Sequence, residues 1–223
     1  MTADPRRDGS STMSDELELA GWRRTVAELY AAVRAHDDPR RAHELWRRGR
    51  DELFRSHPQS PLPPGDPLRA AGLPYWPYDP GLRFELPLRP AGQELSLSVP
   101  TNEGIMPMDR IGCVRLPAPL DAVIDVWWLR QYGGGLLLPL RDGTSGRSSN
   151  GGRPGHDGRS SYGGGRYALD TDKGADLGGR DGHLVVDLNF LYHPSCRYND
   201  AWQCPLAPPG NTISAPVEAG ERL

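Results

Sequence analysis

Apolar residues in the first part of the chain recur with a helical period. Leu19, Trp22, Val26, Leu29, Tyr30 and Val33 stand three and four apart from Ser14 onward. Asp15 and Glu16 fall in the first turn, where the helix dipole favours acids. Asp38 followed by Pro39 predicts the start of a second helix with Ala42, Leu45, Trp46, Leu53 and Phe54 on its apolar stripe. That helix is expected to end at Ser56, because His57 precedes Pro58. Arg40, Arg41, Arg47, Arg48, Arg50 and Arg55 interleave with Asp37, Asp38, Glu44, Asp51 and Glu52, so this face reads as solvated and salt-bridged rather than as a nucleic-acid surface.

After a proline-rich connector, the period changes from helix to strand. Runs bounded by Gly and Pro predict strands at Leu82–Leu86, Glu94–Val99, Gly112–Leu116, Ala122–Leu129, Gly135–Arg141, Arg166–Thr171 and His183–Tyr192, with a further one at Ile213–Val217. This predicts a mainly β fold of the α+β class: an antiparallel barrel or sandwich-like sheet carrying an N-terminal two-helix arm. The expected organisation is a disordered leader over 1–13, a helical arm over 14–57 and a β domain over 58–223. Adjacent Trp127 and Trp128 must point to opposite sides of their strand.

Composition sharpens the loops. Gly143 to Gly165 holds nine glycines in 23 residues and predicts a mobile insertion, whereas 192–211 is dense in Pro, Tyr, Asn and Cys and predicts an ordered irregular loop. A net charge of −3 supplies no concentrated positive field for nucleic acid or acidic membranes. The start of the chain shows no targeting segment, and the run Leu136-Leu137-Leu138 is cut short by Pro139, so a cytoplasmic protein with no membrane contact is expected. Of 26 basic residues only Lys173 is a lysine, which excludes a Walker-type phosphate loop and leaves Schiff-base chemistry without a good amine. H-E-x-x-H, C-x-x-C, G-x-S-x-G and a strand-linked G-x-G-x-x-G are all missing, and no cofactor is expected.

Candidate chemistry lies in three stretches. The predicted last long strand sets Leu184, Val186, Leu188 and Phe190 on one face and Val185, Asp187, Asn189 and Leu191 on the other. Arg141 and Asp142 end one predicted strand, and Arg166, Tyr167 and Asp170 lie on another. If these strands are neighbours, the groups converge, with two readings. One is a pocket for a small polar or anionic molecule in which Arg141 and Arg166 clamp the anion, Thr144 and Tyr162 orient it, Ser145, Tyr167, Asp170 and Asn189 line it, and, in an enzyme, Asp142 or Asp187 is the general base. The insertion Ser148–Ser160 would then be a flap. The other is a buried Arg/Asp network that staples a small core, in a protein serving as a non-catalytic interaction or structural module. His193, Cys196 and Cys204 make H-x2-C-x7-C, open to packed thiols, a disulfide or a metal site. Asp170, Asp172, Gly174, Asp176 and Asp181 approach a calcium-loop pattern, but Ala175 stands where its glycine belongs, and a hairpin turn explains them.

The runs Arg141-Asp142-Gly143-Thr144-Ser145-Gly146, Ser161-Tyr162-Gly163-Gly164-Gly165-Arg166-Tyr167, Val186-Asp187-Leu188-Asn189, Tyr192-His193-Pro194-Ser195-Cys196-Arg197-Tyr198-Asn199 and Trp202-Gln203-Cys204-Pro205 resemble the bacterial family called domain of unknown function 1684. Ser60-Pro61-Leu62 and the stretch from Leu73 to Arg83 with Asp79 are similar as well, so the resemblance covers about residues 40 to 220. It implies no activity, ligand or catalytic residue, since the family has none established. Relatives commonly run the two central motifs together with a glutamate before the tyrosine; here Ser148–Ser160 intervene and no glutamate precedes Tyr162. His193 and Gly210 also stand where relatives tend to have Asn and Glu, so His193 is not read as an obligatory ligand or base.

Overall fold

A computed structural model describes residues 13–101, 104–146 and 160–223. Both predicted helices form: α1 spans Met13–Arg34 and α2 spans Pro39–Ser56. Asp38 Oδ1 accepts hydrogen bonds from the backbone N–H groups of Arg40 (2.9 Å) and Arg41 (3.3 Å), satisfying two of the donors a helix start leaves over. Asp38→Ala is therefore expected to lower stability by about 1 kcal/mol, measured by urea unfolding. α2 buries Ala42, His43, Trp46, Leu53 and Phe54, and α1 buries Tyr30 and Val33. A short α3, Leu68–Ala71, follows.

The strands form two antiparallel sheets. The larger is a meander in the order β2-β3-β4-β5-β6, with β2 Ser96–Thr101, β3 Gly104–Leu116, β4 Ala122–Leu129, β5 Gly135–Leu140 and β6 Arg166–Asp170. The smaller has the order β1-β8-β7, with β1 Arg83–Pro87, β7 Gly179–Arg180 and β8 His183–Asp187. Isolated bridges Arg89 to Cys113 and Tyr167 to Tyr192 tie the smaller sheet's flanks to the larger one. Among the described residues the sheets do not close into a barrel, which corrects that half of the expectation. One core joins α1 and α2 to both sheets, with Trp46, Phe54, Ile124, Leu138, Val186 and Phe190 in a single cluster. A second, smaller cluster of Met108, Trp127, Leu129, Leu137 and Tyr167 lies on the opposite pleat face of the larger sheet. Trp127 is fully buried while Trp128 is 40% exposed, as the pleat demands.

Two predicted strands are corrected. The run His183–Tyr192 leaves the sheet at Asp187, whose side chain accepts from the Asn189 N–H (3.0 Å) and folds Leu188–Phe190 into a tight 3-10 turn. Ile213–Val217 joins no strand; the C-terminal segment runs alongside Arg141, exchanging only isolated bonds such as Ile213 N–H to the Arg141 carbonyl (2.8 Å). Most of the glycine-rich insertion, residues 147–159, lies outside the described residues, as does the leader up to residue 12. Among the described residues no helix is long and apolar enough to cross a membrane.

Candidate functional site

Of the ten residues singled out in the sequence, Asp142, Thr144, Ser145 and Arg166 meet in one network. β5 and β6 pair with Leu140 opposite Arg166, which puts Asp142, just past β5, beside the first residue of β6. The Arg166 guanidinium is fully buried. Nη2 donates to Asp142 Oδ2 (2.8 Å) and the Val217 carbonyl (2.9 Å), and Nη1 donates to the carbonyls of Glu221 (2.9 Å) and Ala219. Its face stacks over the Trp76 ring at 5.1 Å. Burial pulls this group below the usual arginine range, and Asp142 opposes that pull. Asp142 Oδ1 in turn accepts from the N–H groups of Thr144 (2.8 Å) and Val217 (3.0 Å). The Thr144 and Ser161 hydroxyls meet at 2.8 Å, and Ser145 Oγ lies 3.3 Å from Ser161 Oγ. Arg166 thus spends its fork on one carboxylate and three carbonyls of the C-terminal segment.

A second buried charge cluster lies at the end of the chain and was not singled out in the sequence. Glu221 Oε2 accepts from Arg50 Nη2 (3.0 Å) and from the His193 N–H (3.0 Å), and His193 Nδ1 is 3.5 Å from Oε1. Burial works to raise the Glu221 carboxyl, but His193 and Arg50 together hold it below the usual range. His193 itself is pushed down by burial, more than Glu221 pulls it up. Arg50 was read as part of a solvated face, yet its side chain is only 11% exposed. The missed signal was its spacing: Arg50 stands four residues after Trp46 and four before Phe54, on the apolar stripe.

The remaining candidates are dispersed. Arg141 is exposed and contributes its backbone to the C-terminal bridge. Tyr162 packs its hydroxyl 4.0 Å from Cys196 Sγ. Tyr167 donates to the Pro205 carbonyl (2.6 Å), and burial raises its phenol well above the ordinary value. Asp170 pairs with Lys173 Nζ (2.9 Å) at the turn whose acidic spacing approaches a calcium loop. Among the described residues no group of three or more His, Cys, Asp or Glu side chains is placed to share a metal ion.

Asp187 ends β8 of the smaller sheet and Asn189 lies in the 3-10 turn that follows it, outside the Arg166 network. Asn189 is clamped to the Asp79 backbone by two bonds of 2.7 Å and donates from Nδ2 to Asp187 Oδ1 (2.8 Å). The other Asp187 oxygen is 3.8 Å from Arg83 Nε, too far for a hydrogen bond. Burial raises this carboxyl to about 6, against the Asn189 bonds and Arg83, which lower it. Asp187 lines a cleft of ≈ 80 Å³ between the α1–α2 junction and the smaller sheet, with Arg34, His36, Pro39, Arg83, Leu177 and Phe190 around it. His43, edge-on to Phe190 at 5.3 Å, is held down to about 4 by burial and by Arg47. A partly ionised carboxyl beside arginines in a cleft can hold a small anion and exchange a proton with it.

No curated protein matches the chain. Among solved structures, the solution NMR structure of an uncharacterised protein from gene locus rrnAC0354 of Haloarcula marismortui is similar, with a TM-score of 0.53 and 29% identity over 79% of this chain and 90% of that one. The family described as protein of unknown function (DUF1684) matches residues 70–154 and 155–222, a span that includes Asp142, Arg166, Asp187 and Glu221. The chain belongs to that family.

Proposed function

We propose that this protein binds a small carboxylate- or phosphate-bearing molecule in the Asp187 cleft, with Asp187 as the group that exchanges a proton with it. The Asp142–Thr144–Ser145–Arg166 network, by contrast, is assigned to holding the fold. The observation that carries the reading is a buried carboxyl raised to about 6 that lines an open cleft. Proton exchange is most effective when a carboxyl's value lies near the working pH. Arg83 supplies the anion contact: its two ion pairs, at 3.6 Å to Glu85 and 3.8 Å to Asp187, are both long, so its fork can turn to a ligand. A volume of ≈ 80 Å³ has room for one carboxylate or phosphate group with the remainder of the molecule emerging into solvent, since a single water needs about 10–15 Å³ on the same measure.

Thermal shift with inorganic phosphate and simple hydroxy acids tests the binding. Wild type is expected to gain about 2.7 kcal/mol at a hundredfold excess over Kd, and Arg83→Gln to lose the gain. An equal gain in Arg83→Gln, or none in wild type, would contradict the reading. Stability supplies a second check. A carboxyl raised in the folded state favours folding below its unfolded value, and the advantage disappears as pH rises through about 6. Asp187→Asn keeps an oxygen for the Asn189 donors without the charge. It is expected to be more stable than wild type near neutral pH by about 1–3 kcal/mol, with the difference vanishing below about pH 4. Equilibrium unfolding across that range measures it.

A further inference from the structure

The cleft that holds Asp187 carries charge at its rim as well as in its depth. Asp187 is the deep group, its side chain 2% exposed, with the half-buried Arg83 beside it. The rim belongs to the α1–α2 junction. Arg34, in the last turn of α1, has its side chain 37% exposed, and His36, two residues on, is exposed as well. The other lining residues, Val33, Pro39, Ala42, Leu177, Val185 and Phe190, bring only apolar side chains. Two arginines from separate elements are thus set in one small cleft whose remaining walls are apolar.

Both rim groups are held in place with donors to spare. Arg34 Nη1 donates to the Asp176 carbonyl (2.5 Å), and its stem lies against Gly178, where a Cβ would come within 3.1 Å of Arg34 Cδ. The Asp176 carboxylate is 3.8 Å from the same nitrogen, too far for a hydrogen bond, and Arg34 Nε and Nη2 donate to nothing among the described residues. His36 Nδ1 accepts the Asp38 N–H (3.2 Å), so the neutral ring carries its proton on Nε2, a donor without a partner among the described residues. The His36 N–H itself closes the end of α1 on the Val33 carbonyl (3.2 Å). A junction fixed in this way leaves little ordering cost for a ligand to meet. The solvated carboxylates that offset the arginines, Asp176 and Glu85, reach them only at 3.8 and 3.6 Å, contacts that water screens and a ligand can displace.

We propose that the ligand of this cleft is a short-chain dicarboxylate, its inner carboxylate on Arg83 and Asp187 and its outer one on Arg34 and His36. The assignment rests on the anion reading of the cleft and narrows it. A guanidinium binds a carboxylate through parallel N–H bonds, and two guanidinium groups on separate elements call for two such partners. Methylenes joining the carboxylates meet the apolar walls, where a polar linker would leave its hydrogen bonds unmade. The inner carboxylate shares one proton with Asp187, so that pair holds a single negative charge against Arg83. A monocarboxylate fills only the inner end and leaves the rim donors to water.

Isothermal titration calorimetry of the full chain tests this with malonate, succinate and glutarate. Each is set against the monocarboxylate of equal carbon number, propionate, butyrate or pentanoate, with inorganic phosphate as the probe of the inner end alone. Wild type is expected to bind at least one dicarboxylate about tenfold tighter than its monocarboxylate, the factor that an added charge-assisted contact supplies. Arg34→Gln should bring that dicarboxylate to the affinity of its monocarboxylate and leave the monocarboxylate and phosphate unchanged. Arg83→Gln should weaken all three. Arg48→Gln, at an exposed arginine outside the cleft lining, removes the same charge and should change none of them. Equal affinities for dicarboxylates and monocarboxylates, both lost in Arg83→Gln, would overturn the dicarboxylate assignment and leave the anion reading standing. So would a loss in Arg34→Gln that Arg48→Gln reproduces, or one that extends equally to phosphate. Binding of no anion by wild type, or binding indifferent to Arg83→Gln, would overturn the anion reading and this inference with it.

Discussion

Arg166→Leu is expected to destabilise the protein by about 3–5 kcal/mol, a large share of the 5–15 kcal/mol typical of a whole domain. The substitution leaves the Asp142 carboxylate buried without its cation and strips the carbonyls of Val217, Ala219 and Glu221 of their donor. A melting temperature lower by about 10 °C is the corresponding thermal readout. The pair Asp142→Leu with Arg166→Leu separates two accounts of this loss. Were the ion pair all that mattered, removing both charges would restore much of the stability. Three orphaned carbonyls predict that the double variant stays well below wild type, each buried group costing about 1–3 kcal/mol.

Glu221→Leu is expected to cost a similar amount, about 3–5 kcal/mol, because it leaves the Arg50 guanidinium almost wholly buried with no carboxylate to face. The His193 N–H loses its acceptor in the same step. The pH dependence has a definite sign. A carboxyl held down in the folded state contributes stability above its unfolded value and gives it up as pH falls through the lower, folded one. Wild type should therefore lose its margin over Glu221→Gln progressively on acidification below about pH 4.5. Urea unfolding of both proteins from neutral to acidic pH measures this. Both predictions describe one device: the last residues of the chain are the acceptors that the deepest arginines need, so the C-terminal segment serves as a lock on the core.

The elements whose cause is local were legible in the sequence. The three-and-four spacing from Leu19 to Val33, the Asp38-Pro39 start and the Pro58 stop mark α1 and α2 because each acts within a turn of chain. The β-branched and aromatic run through Ala122–Leu129 marks β4 for the same reason. The strand through Tyr192 was overextended because Leu188 and Phe190 continue the apolar alternation inside a buried 3-10 turn, where side-chain period alone does not reveal the Asp187 cap. The C-terminal lock was out of reach. Arg50 and Glu221 are 171 positions apart, and nothing in the short stretch from Ser214 to Leu223, which has no regular period, signals a buried carboxylate. For the candidate site, the residue types were legible and their grouping was not. Asp142 and Arg166 met as expected, whereas Asp187 went to the end of the other sheet and Asn189 to the turn beyond it, because strand order is fixed by long-range pairing that a single sequence does not encode locally.

The measurement that bears most directly on the Asp187 cleft is a carboxyl carbon-13 titration of Asp187, its resonance assigned by its loss in Asp187→Asn. The expected midpoint is about 6, moving higher when saturating inorganic phosphate places a second negative charge beside it. A midpoint at or below the ordinary aspartate value of about 3.9, unmoved by phosphate, would contradict it.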